Sequence, residues 1–103
     1  MKVQINAGDI QSSPALLERA EDAVLAALRH VTDRVTRVEV HLRDDNANKS
    51  AADDKRCTME ARIAGQQPIA VDHSSDDLYR SISEAAGKLG RAVNTRLDKL
   101  AAK

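Results

Sequence analysis

Apolar positions along this chain recur either at every second residue or at every third to fourth, and each change of spacing marks an element. Val3 and Ile5 alternate with Lys2, Gln4 and Asn6, which predicts a short strand. After Gly8-Asp9, the pair Ser13-Pro14 opens a helix, with serine as the cap and proline in the first turn. Leu17, Ala20, Val24, Leu28 and Val31 then recur at helical spacing. Glu18, Glu21 and Asp22 lie early and Arg29, His30 and Arg34 late, an order that complements the helix dipole. Val38, Val40 and Leu42 alternate with Arg37, Glu39, His41 and Arg43, predicting a half-buried strand. Residues 44–54 are small and polar and predict a flexible loop. Cys57, Met59, Ala61 and Ile63 alternate with Thr58, Glu60 and Arg62 in a third strand. Gly65-Gln66-Gln67-Pro68 turns the chain into a fourth, from Ile69 and Val71 to near Asp72-His73. Ser74 or Ser75 is the expected cap of a long final helix, with Asp76 and Asp77 beside it.

The predicted order is β-α-β-β-β-α, an α+β fold with one four-stranded mixed sheet. A helix connects the first two strands, so they should run parallel with a right-handed crossover, and the short later links should give antiparallel pairs. Both helices should cover one sheet face, leaving Arg37, Glu39, His41, Arg43, Thr58, Glu60 and Arg62 on the open one. The 103 residues suffice for one core, so a single domain over residues 1–103 is expected.

The last helix carries the most informative pattern. Leu78, Ile82, Ala85, Leu89, Val93 and Leu100 form an apolar stripe, while Arg80, Lys88, Arg91 and Lys99 fall together on the opposite side of the wheel. Such a ridge can hold nucleic-acid phosphates. It can also be a solvated face laced by ion pairs, since Glu84 precedes Lys88 by four residues and Asp98 lies on the same side. Ser83, Gly87, Gly90 and Asn94 form a stripe of small residues beside it. Its two glycines, each costing about 1 kcal/mol relative to alanine inside a helix, point to close packing on the first helix, or else to close approach of an RNA backbone.

Net charge is zero, with 16 basic and 16 acidic residues, so nonspecific binding to nucleic acid across the whole surface is not expected. The distribution is uneven, however. From Lys88 onward Lys88, Arg91, Arg96, Lys99 and Lys103 face only Asp98, whereas residues 44–54 carry Asp44, Asp45, Asp53 and Asp54 against Lys49. Tyr79 is the only aromatic residue, so any RNA contact must read phosphates and shape rather than stacked bases. Lys55 and Arg56, at the end of the acidic loop, are further candidates for such contacts.

Other chemistry finds little footing. The single Cys57 excludes an internal disulfide, fits a reducing compartment and, on an inward strand face, reads as a buried thiol. His30, His41 and His73 lack the spacing of a metal site. Asp44-Asp45-Asn46-Ala47-Asn48 lacks the glycine and closing glutamate of a calcium loop. No paired acid and base, phosphate loop or ligand cluster is evident, so no enzyme and no cofactor are expected. No apolar run approaches the roughly 18 residues of a membrane span. The first residues are too polar for an export signal, so a cytoplasmic protein without a membrane partner is expected.

Several segments together resemble one family. Asp77-Leu78-Tyr79-Arg80-Ser81-Ile82 and Lys88-Leu89-Gly90-Arg91 keep the Asp, Tyr and Ile of the opening Asp-Met-Tyr-x-Ala-Ile-Asp and the whole of the later Lys-Leu-x-Arg of its second helix. Val38-Glu39-Val40-His41-Leu42 is similar to its second strand, and Asp53-Asp54-Lys55-Arg56-Cys57-Thr58-Met59-Glu60-Ala61-Arg62 to its short members. In this order they resemble the ribosome hibernation factors, also called ribosome-associated inhibitor A or sigma-factor modulation proteins. The resemblance implies a short bacterial factor that docks in the decoding channel of the small ribosomal subunit, contacts ribosomal RNA, and silences translation under stress. Without the C-terminal dimerisation extension of the long members, it would not itself bridge two ribosomes. One departure is visible: the first helix carries Glu18, Glu21 and Asp22 where members commonly carry lysines. The RNA-binding candidates are therefore Arg80, Lys88, Arg91 and Lys99, then Arg37, Arg43, Lys55, Arg56 and Arg62. The neutral charge and acidic helix also fit an alternative, a protein-interaction module of the same fold in a stress or regulatory complex.

Overall fold

The computed structural model describes residues 1–8, 10–44 and 54–102. Its elements are β1 (Lys2–Asn6), α1 (Pro14–Leu28), β2 (Val35–Asp44), β3 (Lys55–Ile63), β4 (Ile69–Ser75) and α2 (Leu78–Ala101). The sheet order is β1-β2-β3-β4. β1 lies parallel to β2 because α1 carries the chain back to the same end, and the other pairs are antiparallel. The α+β order and mixed sheet are those expected from the sequence. The loop reading for residues 44–54 falls mostly outside the described residues; Asp44 ends β2, and Asp54 is buried just before β3.

Alternation becomes core through the register. Val3, Val38, Ala61 and Ile69 line up across the sheet, as do Ile5, Val40, Met59 and Val71. The helices cover this face, and Val24, Leu28, Val38, Val40, Met59, Ile82, Leu89 and Val93 are fully buried between the layers. Each large apolar side chain so buried contributes about 1.5–3 kcal/mol, which makes this seam the main source of stability.

α2 meets two neighbours, so its buried surface is wider than the predicted stripe and includes Ala86, Gly90 and Leu97. A Cβ built on Gly90 would stand 3.1 Å from the carbonyl oxygen of Ala27, so here the small-residue stripe does serve close packing on α1. Gly87 does not: a Cβ there would meet only the Arg91 guanidinium, at 3.4 Å.

Local details depart from the sequence expectation for identifiable reasons. In α1 the buried side chain of the first turn is Leu16, while Leu17 is 37% exposed. Leu16 precedes Ala27 by about three turns and so shares the side of α1 that meets Gly90. α1 packs more closely against α2 than against the sheet. α1 also ends at Leu28, leaving His30 and Arg34 beyond it, and its first turn carries no acid. The Ser13 side chain caps it as expected, accepting the Leu16 N–H at 3.2 Å.

β4 runs past His73 to Ser75, because Lys55 at the start of β3 offers Ser75 a pairing partner. The cap of α2 moves accordingly to Asp77, whose carboxylate accepts the Tyr79 N–H at 3.0 Å. Ser75 instead joins a buried link: its Oγ lies 2.7 Å from that of Ser81, whose hydroxyl donates to the Lys55 carbonyl at 2.7 Å. Two hydroxyls thereby tie the first turn of α2 to the ends of β3 and β4.

Candidate nucleic-acid interface

Arg80, Lys88, Arg91 and Lys99 all lie on the exposed side of α2, opposite Ile82 and Leu89. Among the described residues no ion pair joins Glu84 to Lys88, and none engages Arg80, Arg91 or Lys99. The ridge is therefore not the salt-bridged surface that its sequence also allowed. Lys88 departs from the other three: its ammonium reaches over the sheet edge and donates to the Asp72 carbonyl at 2.9 Å. A lysine so placed satisfies a backbone acceptor on the edge strand β4 and guards that edge against pairing with another strand.

A cation that the wheel hid completes the surface. Arg96 lies toward the apolar side of α2, but its guanidinium emerges beside β4 and donates to the Gln67 carbonyl at 3.1 Å. There it joins Arg91 and Lys99 around a groove of about 410 Å³ floored by Ile69 and Ala92, with Thr95 on its wall. The available signal was the tally of bases from Lys88 onward, which counts Arg96 although helical phase sets it apart.

The remaining candidates do not join this ridge. Arg37, Arg43, Arg56 and Arg62 lie on the open sheet face, which the helices leave bare. Ion pairs hold Arg37 to Glu39 at 3.1 Å, Arg62 to Glu60 at 3.1 Å, and Arg56 to Asp72, and Arg43 is not without a partner of its own. Arg37 also bonds to Gln4, and His41 lies 3.5 Å from Glu39. The Arg56 guanidinium holds the Asp72 carboxyl below its ordinary value. Lys55 is on neither surface, being clamped between Asp44 at 3.1 Å and Asp54 at 3.4 Å. Its hydrogen bond to Asp44 raises its pKa above the ordinary lysine value.

Nucleophilic chemistry has no support at the one thiol. Cys57 is fully buried, and desolvation pushes its pKa up to about 12, away from the thiolate a nucleophile needs. His73 stands opposite it in the β3–β4 register, a neighbour the sequence did not disclose, but no hydrogen bond joins the two. Among the described residues no three His, Cys, Asp or Glu side chains converge as metal ligands. No described helix is long and apolar enough to cross a membrane.

The order of segments in the sequence and the arrangement of the two layers agree with one family. The profile of the family described as Sigma 54 modulation protein / S30EA ribosomal protein matches residues 3–101. The chain belongs to that family. The S30EA proteins are ribosome-associated factors not known as an enzyme family, and ribosome binding and hibernation fit the family. A solved ribosomal subunit interface protein from Coxiella burnetii is similar over 100% of both chains, with a TM-score of 0.72 and 22% identity. The N-terminal domain of Protein Y from Thermus thermophilus is similar over 89% of this chain and 91% of that one, with a TM-score of 0.65 and 21% identity. At these identities the two likenesses speak for the fold. Against the curated proteins there is no match. Within this S30EA fold, the structure sorts the sequence candidates into an α2 ridge extended by Arg96, a set of arginines on the open sheet, and Lys55 held between two aspartates.

Proposed function

We propose that this chain is a non-enzymatic, cytoplasmic translation factor that binds the decoding channel of the small ribosomal subunit. It blocks translation under stress by occupying the space of messenger and transfer RNA. The observation that carries this reading is the groove of Arg91, Arg96 and Lys99, cations with no carboxylate partner among the described residues, on the α2 face of a ribosome-associated fold. Guanidinium and ammonium groups free of internal ion pairs bind phosphate oxygens through charge-assisted hydrogen bonds without first breaking a salt bridge. Arg80, in the first turn of α2, extends the same face, and Lys88 lies between at the sheet edge.

The acids of α1 fit this polarity. Glu18, Glu21 and Asp22 are exposed and lie on the side of α1 away from Ala27, hence away from α2. They would repel phosphates there and orient the molecule with α2 toward RNA. The open sheet, whose arginines Arg37, Arg56 and Arg62 are already paired, would contribute less.

The decoding-channel reading is tested by competition. Small subunits preloaded with a messenger and a cognate transfer RNA should exclude the protein, and empty subunits should bind it. Equal binding to both would place the protein elsewhere on the subunit. The neutral charge and the α1 acids favour a second reading, in which the same fold binds a regulatory protein. That reading expects a complex that survives Arg91→Glu with Lys99→Glu, whereas the ribosomal reading expects that pair of changes to abolish binding.

A further inference from the structure

We propose that the outer edge of β1, together with the flank of α1 above it, is a docking site for an extended strand of another protein, one that presents apolar, basic and apolar side chains in turn on a single face. The two edges of the sheet differ. At β4 and the turn before it, Lys88 donates to the Asp72 carbonyl and Arg96 to the Gln67 carbonyl, and these long side chains block the approach of a further strand. β1 pairs only with β2, and among the described residues no side chain bonds to its backbone. Its core face is also incompletely covered. Val3 and Ile5 are half-buried, whereas Val38, Val40, Met59 and Ala61 in the same rows are fully buried. A strand added beside β1 would bond to the bare edge and close over these two side chains.

The selectivity comes from α1. α1 packs on β1, and α2 on β3 and β4, so α2 lies to one side of α1 and the bare edge of β1 to the other. Ala27 faces α2 at Gly90, and Arg19 stacks on Tyr79 of α2 at 5.2 Å. Leu17, Glu21 and Leu25 follow one another at four-residue steps on the flank turned away from both. Among the described residues three large apolar side chains are exposed, and Leu17 and Leu25 are two of them. Glu21 stands between them without an ion pair among the described residues, and Arg29, next in the row, is about two turns away. Four residues of helix rise about 6 Å, and two residues of strand about 6.6–6.8 Å. Alternate side chains of an added strand therefore match the row one for one: apolar on Leu17, lysine or arginine on Glu21, apolar on Leu25. The charge also decides between occupants. A second copy pairing through β1 would present Val3 and Ile5 with no cation between them, and would bring a second Glu21. An RNA strand would be repelled by Glu21 and by Glu18 and Asp22 beside it. The site lies at the opposite edge from the groove of Arg91, Arg96 and Lys99, so it does not depend on the ribosomal reading.

The test is a nuclear magnetic resonance titration of the full chain with two blocked peptides, Thr-Val-Thr-Lys-Thr-Val-Thr and the same sequence with glutamate in place of lysine. The lysine peptide should shift the backbone amides of residues 2–6 and of Leu17, Glu21 and Leu25, and leave Arg91, Arg96 and Lys99 unmoved. The glutamate peptide should bind at least about threefold more weakly, since an attraction at Glu21 becomes a repulsion. Glu21→Lys, an exposed substitution, should reverse that preference, and Leu25→Ala should weaken the lysine peptide by about fivefold or more, since it removes apolar area that the strand covers. The comparison of the two peptides on the wild type decides the matter even if a variant misfolds. Arg91→Glu with Lys99→Glu should leave peptide binding unchanged, so a failure of the ribosomal reading is told apart from a failure here. Absence of shifts at millimolar peptide, equal affinity for the two peptides, or shifts confined to β4 and α2 would each overturn the assignment. So would amides of residues 2–6 that shift with protein concentration alone, which would mark the edge as a contact between copies.

Discussion

Replacing Gly87 or Gly90 with alanine makes one chemical change at two places three residues apart on α2, and the structure predicts opposite consequences. In both cases alanine favours the helix by about 1 kcal/mol, through its higher propensity and the reduced freedom of the unfolded chain. At Gly87 the new methyl group meets only the end of the flexible Arg91 side chain, at 3.4 Å, which can move aside. At Gly90 it would stand 3.1 Å from the Ala27 carbonyl oxygen and 3.5 Å from the Ala27 Cβ. The two helices must then separate by a few tenths of an ångström, and overpacking of this kind costs about 1–3 kcal/mol. Gly87→Ala should therefore stabilise the protein by about 0.5–1 kcal/mol, while Gly90→Ala should lie about 1–3 kcal/mol below it. Urea unfolding at unchanged m-value measures both, and each kcal/mol should also move Tm by roughly 4 °C or more in a chain of this size. Equal gains at both positions would refute the close approach of α1 and α2 at Gly90.

Other outcomes follow from particular contacts. Ser81→Ala removes the donor to the Lys55 carbonyl and the partner of Ser75, and should cost roughly 1–3 kcal/mol in urea unfolding; a neutral result would contradict the buried link. Asp72 has its pKa lowered from 3.8 by the hydrogen bond from Arg56, so this pairing adds stability above the unfolded value and loses it as pH falls through the folded one. The destabilisation caused by Arg56→Gln should accordingly be larger at neutral pH than in acid, and a gap that widened on acidification would contradict the pairing. Cys57, fully buried with a pKa of about 12, should react with a thiol reagent at mildly alkaline pH only as fast as the protein opens. Immediate stoichiometric labelling of the native protein would show that the thiol is not enclosed.

The sequence made the layers legible because each element carries a clean period. Val38, Val40 and Leu42 can be buried together only on a strand, and Ile82, Leu89 and Val93 only on a helix. Three features escaped because they depend on where elements meet. The cap of α2 shifted to Asp77 because β3 begins early enough to hold Ser75 in the sheet. Ser81 falls beside Lys88 on the wheel, yet is buried because the ends of β3 and β4 close over that turn. The pairing of Arg56 with Asp72 requires the β3–β4 register, which alternation leaves open. At the candidate interface, helical phase identified Arg80, Arg91 and Lys99. It could not show that Lys88 bonds to the sheet edge, nor that the long Arg96 side chain reaches the same groove.

The ribosomal reading stands or falls on phosphate contact through α2, and co-sedimentation with purified small subunits across a salt series tests this directly. Four phosphates met by Arg80, Arg91, Arg96 and Lys99 should give a slope of log affinity against log salt of about −3 to −4. Arg91→Glu with Lys99→Glu should abolish binding while the circular dichroism spectrum and unfolding midpoint stay near wild type; Lys88 is left intact because it also holds the edge of β4. No sedimentation even at low salt, or salt-insensitive binding that survives the double variant, would contradict the account.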